Sequence, residues 1–91
     1  MKVAKITAVW CTSCIIMNKV WKQIEDKYHF ETISYDLDMD EDIVEGYNIG
    51  DKLPVFIFMD NDKELFRIIG EKSLEEVEAI MKEHEVIWKK D

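Results

Sequence analysis

The stretch "VWCTSC", residues 9–14, holds both cysteines of the chain, three positions apart. An apolar run from Val3 to Trp10 leads into it, with the length and composition of a buried strand. Beyond the pair, a predicted helix from Thr12 to Tyr28 carries apolar residues every four positions, at Ile16, Val20, Ile24 and Tyr28, with Met17 and Trp21 beside them. The cysteines are therefore expected where a strand passes into a helix.

The rest of the chain alternates between further strand and helix patterns. We predict strands at Glu31–Leu37, Pro54–Met59 and Leu65–Gly70, a short helix at Glu41–Tyr47, and a last helix opened by Ser73. Glu76 stands three residues after Ser73, which is the capping-box spacing. The order βαβ, short α, ββα predicts an α/β fold in which helices flank a four-stranded mixed sheet.

Composition limits the kind of protein. The length of 91 residues predicts a single domain over residues 1–91. With 20 acidic and 12 basic residues the net charge is −8, which argues against nucleic acid or an anionic membrane as a partner. No apolar run approaches the ~20 residues of a membrane span, and the start of the chain lacks a signal-peptide pattern. We therefore expect a cytoplasmic protein.

The spacing of Cys11 and Cys14 suits reversible disulfide chemistry. Residues three apart on a helix share a face, with separations of about 5–6 Å that a disulfide accepts. The unpaired N–H groups and the dipole at the helix start favour a thiolate at Cys11, whereas Cys14 should be more buried. The sequence thus predicts Cys11 as the nucleophile and Cys14 as the resolving thiol.

Other interpretations of the pair stay open at this point. A zinc site needs four ligands, and the further candidates His29 and His84 lack finger spacing. Two inert core cysteines are also compatible with the pattern. The acidic stretch 36–47 places Asp at three calcium-loop positions, but Glu41 and Tyr47 stand where such a loop needs Gly and Glu. We expect no bound metal.

A Cys-x-x-C pair in a βαβ context is the signature of the thioredoxin family, and the chain resembles that family over nearly its whole length. "VWCTSC" is similar to the family's tryptophan-flanked active site, and "YDLDMDEDIVEGYNIGDKLPVFIFMDNDKELFRIIG" is similar to its second half. The resemblance implies that Pro54 is a cis proline facing the cysteines and that Leu53 offers backbone groups to an extended substrate. It also implies that Trp10 shapes the contact surface and that Gly70 allows close approach.

The sequence departs from the family pattern at several positions. The chain begins at the strand before the cysteines, so we expect a version of the fold without the family's extra N-terminal strand and helix. Thr12 and Ser13 replace the usual glycine-proline spacer, and their hydroxyls could hydrogen-bond the Cys11 thiolate. Lys5 stands where the family has a buried acid. A buried lysine would have a lowered pKa and could stabilise a thiolate or accept a proton; alternatively, the Lys5 side chain points elsewhere or extends to solvent.

The functional hypothesis is a small thiol–disulfide oxidoreductase that mainly reduces protein disulfides through a Cys11–Cys14 disulfide. It needs no cofactor, but it implies a recycling reductase, of which a thioredoxin reductase-like enzyme is the first candidate. We expect a monomer. The alternative is a non-catalytic binding module of the same fold, or a protein that holds a metal on its dithiol.

Overall fold

The computed structural model describes residues 2–28, 30–61 and 63–84. Its elements are β1 (Lys2–Thr7), α1 (Thr12–Lys27), β2 (Glu31–Asp36), α2 (Glu41–Glu45), β3 (Val55–Asp60), β4 (Lys63–Ile69) and α3 (Leu74–Glu83). The strands form one mixed sheet in the order β2-β1-β3-β4, with β1 and β2 parallel and the other two pairs antiparallel. The predicted α/β architecture is confirmed.

Each face of the sheet carries its own apolar core. On β3, Phe56 and Phe58 point to the face covered by α1 and α3, whereas Val55 and Ile57 point to the face covered by α2. This alternation follows from the period of two along a strand. Because both faces are covered, β3 is almost wholly apolar.

The first strand ends earlier than predicted. β1 stops at Thr7, and residues 8–10 form a turn that the N–H of Cys11 closes by donating to the Ala8 carbonyl at 3.1 Å. The turn leaves Val9 and Trp10 exposed to solvent. These two apolar residues are therefore not part of a buried strand.

The buried face of α1 also differs from the predicted stripe. Ile16 is 46% exposed and Val20 only partly buried, whereas the face packed on the sheet consists of Cys14, Met17, Trp21, Ile24 and Tyr28. Successive steps of four residues drift around a helix of 3.6 residues per turn, so a straight buried stripe alternates steps of three and four. Trp21 is in the core, as predicted.

The later elements deviate by a few residues at their ends. α2 ends at Glu45, two residues before the predicted Tyr47, while β3 and β4 are displaced by one or two residues. The capping box is present: the N–H of Glu76 donates to Ser73 Oγ at 3.1 Å, and the N–H of Ser73 donates to Glu76 Oε1 at 3.1 Å. His29 and Trp88 lie outside the described residues.

Candidate active site

Cys11 is the N-cap residue of α1, and its own sulfur caps the helix. The backbone N–H of Cys14 donates to Cys11 Sγ at 3.2 Å. Both cysteines are free thiols, with Cys11 8% exposed and Cys14 2% exposed. The Cys11 sulfur therefore lies at the amino end of α1, next to its unpaired backbone N–H groups.

Cys14 lies behind Cys11 in an environment that favours its neutral form. Burial, followed by the side-chain hydrogen bond with Cys11, raises the pKa of the Cys14 thiol to about 11. A backbone hydrogen bond from Ala8 and the positive charge of Lys5 act in the opposite direction on this pKa. The two sulfurs are thus chemically distinct, one close to the helix N–H groups and the other protonated in the core.

Lys5 lies on β1 between Ser34 of β2 and Phe56 of β3. Val3, two residues earlier on β1, packs against α1. Because side chains alternate along a strand, Lys5 points to the same face of the sheet. Burial lowers the pKa of Lys5, while its electrostatic interactions with Glu25 and with Cys14 oppose that shift. A half-buried lysine therefore interacts electrostatically with the Cys14 thiol.

Trp10 is 62% exposed, and a hydrogen bond holds its ring beside the cysteines. Its Nε1 donates to Asp38 Oδ2 at 2.9 Å. Asp38 belongs to a tight loop in which Asp36 Oδ1 accepts the N–H groups of Asp38 at 2.9 Å and Met39 at 3.0 Å. An otherwise exposed indole is thus tethered to the end of β2.

The opposite wall of the site comes from the loop before β3 and the end of β4. The Leu53–Pro54 peptide bond is cis, and the Pro54 carbonyl accepts the N–H of Gly70 at 2.8 Å. Gly70 has a φ of +83°, a conformation that residues with a Cβ rarely adopt. Met17 of α1 supports this side, since its Sδ accepts the N–H of Lys72 at 3.2 Å.

Most of the predicted site residues line one open cleft of about 540 Å³. Its lining consists of Trp10, Cys11, Thr12, Ser13, Asp51, Lys52, Leu53, Ile69, Gly70, Glu71 and Lys72. Cys14, Lys5 and Pro54 are not among these lining residues. The backbone N–H of Cys14 donates to Cys11 Sγ. From the sequence, the hydroxyls of Thr12 and Ser13 were the candidate donors.

The sequence does not predict several residues of the site, among them Ile69 and Asp38. Ile69 lines the cleft, and its position directly before Gly70 is the signal that could have indicated this. Asp38 belongs to the acidic stretch 36–47, and it accepts the Trp10 indole N–H. Donor and acceptor are 28 positions apart in the sequence, so no local pattern indicates that bond.

In the described part of the chain, no third His, Cys, Asp or Glu joins the cysteine pair in an arrangement that could hold a metal ion. None of the described helices has the length and apolar character to cross a membrane.

The family model of thioredoxin matches residues 1–83. The protein belongs to the thioredoxin family. Among thioredoxin relatives, an H-type thioredoxin of Brassica oleracea is 26% identical over 84 residues, covering 90% of this chain and 66% of the relative. The chain therefore spans slightly less than two thirds of the length of this relative.

Solved thioredoxin structures have the same fold. The reduced thioredoxin pre-protein of Schistosoma mansoni superposes with a TM-score of 0.78 at 28% identity, covering 91% of this chain and 77% of that one. The thioredoxin of Plasmodium falciparum gives a TM-score of 0.78 at 22% identity, covering 98% and 73%. At 22% identity, the similarity to the Plasmodium falciparum structure shows the fold alone. Membership of the thioredoxin family is consistent with thiol–disulfide redox chemistry at the cysteine pair.

Proposed function

We propose that the protein reduces disulfide bonds of other proteins, with Cys11 as nucleophile and Cys14 as resolving thiol. The observation that carries this proposal is the asymmetry of the two sulfurs. Cys11 caps α1 and borders the cleft, whereas the pKa of buried Cys14 is raised to about 11. Attack by one sulfur before the other follows from that difference.

In the first step the Cys11 thiolate attacks one sulfur of the substrate disulfide. The Cys11–substrate bond forms as the substrate S–S bond breaks, and the leaving thiolate takes up a proton. In the second step Cys14 loses its proton and attacks Cys11 Sγ, which releases the second substrate thiol. Two electrons pass to the substrate, and the protein is left with a Cys11–Cys14 disulfide.

The second step needs a Cys14 thiolate, which the free reduced protein disfavours. Once Cys11 is bonded to substrate it carries no charge, so its repulsion of a Cys14 thiolate disappears. The Lys5 ammonium then remains as a charge that favours the thiolate. We propose Lys5 as a positioning residue for this step, with Thr12 and Ser13 modulating the pair from the cleft.

The substrate segment is proposed to lie across the cleft between Trp10 and the Leu53–Pro54 wall. Backbone groups at Leu53 would pair with an extended chain, and Gly70, without a side chain, leaves room for it. The Cys11–Cys14 disulfide requires a reductase that returns two electrons, and a thioredoxin reductase-like enzyme fits this role. We further propose that residues 1–91 act as a single monomeric domain in the cytoplasm.

The experiment that tests this function uses the Cys14→Ser variant with insulin as a disulfide substrate. The variant should accumulate a mixed disulfide through Cys11 because the resolving sulfur is missing. The wild-type protein, supplied with dithiothreitol, should reduce insulin. The matched control is Cys11→Ser, which should trap little adduct because Cys14 is 2% exposed.

The absence of both an adduct and insulin reduction would favour the alternative, a non-catalytic binding module or a dithiol that holds a metal.

A further inference from the structure

Exposed apolar side chains continue from the cleft onto one side of the site. Trp10 lies next to Cys11, Val9 precedes it in the same turn, and Met39 follows the Asp38 that holds the indole. Met39 is 85% exposed, and Ile43 on α2 is about half exposed. Large apolar side chains grouped beside a reactive thiol mark a contact surface.

Strong negative charge surrounds these apolar residues. Six of the ten residues from 36 to 45 are Asp or Glu, and none is Lys or Arg. Asp36 and Asp40 direct carboxylate oxygens to backbone N–H groups of the loop. Glu41 and Asp42 are exposed, and the ion pairs of the described residues, Lys27–Glu78 and Arg67–Glu64, lie elsewhere.

The opposite side of the cleft has a different charge pattern. There the acidic residues Asp51 and Glu71 are each followed directly by a lysine, Lys52 and Lys72. That side presents neighbouring charges of both signs, whereas the charged residues of segment 36–45 beside Trp10 are all negative. A substrate segment that passes over Trp10 thus meets a field of one sign.

We propose that the surface formed by Val9, Trp10, Met39, Ile43, Glu41 and Asp42, here called the acidic–apolar surface, selects the substrate segment. The segment that fits is an extended chain with an apolar residue next to the disulfide cysteine and Lys or Arg beyond it. The apolar residue packs on Trp10 and Met39, and the basic residue faces Glu41 and Asp42. This inference rests on the proposed function and names the substrate class of that same site.

The acidic contribution should act mainly on the rate of encounter and on the choice of partner. Complementary charges at the rim of an interface raise the association rate and are screened by salt. The apolar contribution should be insensitive to salt, since it depends on the area removed from water. The two contributions are therefore separable by experiment.

The test compares two disulfide-linked peptides that are identical except for their flanks, Leu-Lys-Lys in one and Leu-Glu-Glu in the other. At low ionic strength the wild-type protein should have a kcat/KM at least about threefold higher for the basic peptide, and 0.5 M salt should abolish the difference. In the Glu41→Gln, Asp42→Asn double variant, the preference should fall by about half or more.

A matched control removes two other negative charges, which lie far from the cleft. Asp26→Asn with Glu83→Gln changes one Asp and one Glu at exposed positions in the last turns of α1 and α3. Asp26 is 15 residues beyond Cys11, roughly 22 Å along α1. This control should keep the wild-type preference. A loss equal to that of the Glu41, Asp42 variant would overturn the proposal, since only net charge would then matter.

The apolar contribution has its own pair of variants. Met39→Gln should weaken binding of both peptides to a similar extent, whereas Leu65→Gln, an exposed change at the far end of β4, should not. Equal affinities in these two variants would contradict a packing role for Met39.

A binding measurement separates this inference from the proposed function. Peptides with serine in place of cysteine cannot react, yet the basic one should still bind more tightly in calorimetry at low salt. If the protein reduces both peptides equally and binds both non-reactive peptides equally, the selectivity is wrong and the reductase function stands. If the basic peptide binds preferentially but neither peptide is reduced, the function is wrong and the surface stands.

Discussion

The sulfur of Cys11 caps helix α1 and is also the proposed nucleophile. Its sulfur accepts the N–H of Cys14 in the position that a Ser, Thr, Asp or Asn oxygen usually takes at a helix start. The cap keeps the sulfur at the positive end of α1, where negative charge is favoured. The Cys11 thiol, the proposed nucleophile, is thus oriented by the same hydrogen bond that begins the helix.

The proposed role of Lys5 depends on the effect of its positive charge on Cys14. Because its positive charge lowers the pKa of Cys14, removing that charge must raise this pKa further. In the Lys5→Met variant, attack by Cys14 on a mixed disulfide should be slower at neutral pH, by roughly tenfold for each pKa unit gained. The pH profile of this step should shift to higher pH.

Stopped-flow release of substrate from a preformed mixed disulfide, between pH 6 and pH 10, measures this step directly. Lys5→Arg keeps the positive charge and should retain the wild-type profile. Coincident profiles for wild type and Lys5→Met would show that the ammonium does not act on Cys14. Groups facing Lys5 also include Glu25, so Glu25→Gln should change the profile less than Lys5→Met does.

At the scale of elements, the connection between α2 and β3 positions the Leu53–Pro54 wall. Arg67 on β4 holds this connection: its Nη1 donates to the Asn48 carbonyl at 3.2 Å and its Nη2 donates to the Tyr47 carbonyl. Glu64 orients the guanidinium through Oε2, 2.6 Å from Nε. Asn48 has a φ of +52°, so the backbone held here is unusual for a residue with a side chain.

We expect the Arg67→Met variant to lower the free energy of unfolding by about 1–3 kcal/mol, because two carbonyls lose a charged donor. Amides of residues 46–52 should exchange faster with deuterium. Arg67→Lys retains the charge but lacks the fork geometry, so it should recover only part of the loss. Unchanged stability in Arg67→Met, measured by denaturant unfolding, would rule out this bracing role.

At the scale of the whole molecule, Trp21 lies in the core whereas Trp10 lies on the surface. Trp21 is 1% exposed and stacks on Phe56, with ring centroids 4.2 Å apart. Its Nε1 also donates to Thr32 Oγ1 at 3.2 Å, which joins α1 to β2. Trp10, by contrast, projects from the molecule beside the reactive thiol.

The substitution Trp21→Ala should therefore lower the free energy of unfolding by about 3–5 kcal/mol, a large share of the roughly 5–15 kcal/mol typical of a domain. Trp10→Ala should change it by less than about 1 kcal/mol, while it weakens substrate binding. Denaturant unfolding followed by circular dichroism measures both variants. Comparable losses of stability in the two variants would contradict this division of roles.

The sequence by itself determined those features that repeat over a few residues. The apolar run Val55–Phe58, the position of the cysteines at a helix start and the Ser73–Glu76 capping box depend on neighbours one to four positions away. Such neighbours meet in any chain that adopts the local structure. The α/β class and the position of the cysteine pair at the start of a helix were predictable for that reason.

Only the tertiary structure decided which distant residues meet. The hydrogen bond from Trp10 to Asp38, the interaction of Lys5 with Cys14 and the donors from Arg67 to the carbonyls before β3 join separate elements. These contacts depend on strand register, helix rotation and the closure of loops, which no local period encodes. The structure also shows that "VWCTSC" begins with an exposed turn instead of ending a buried strand.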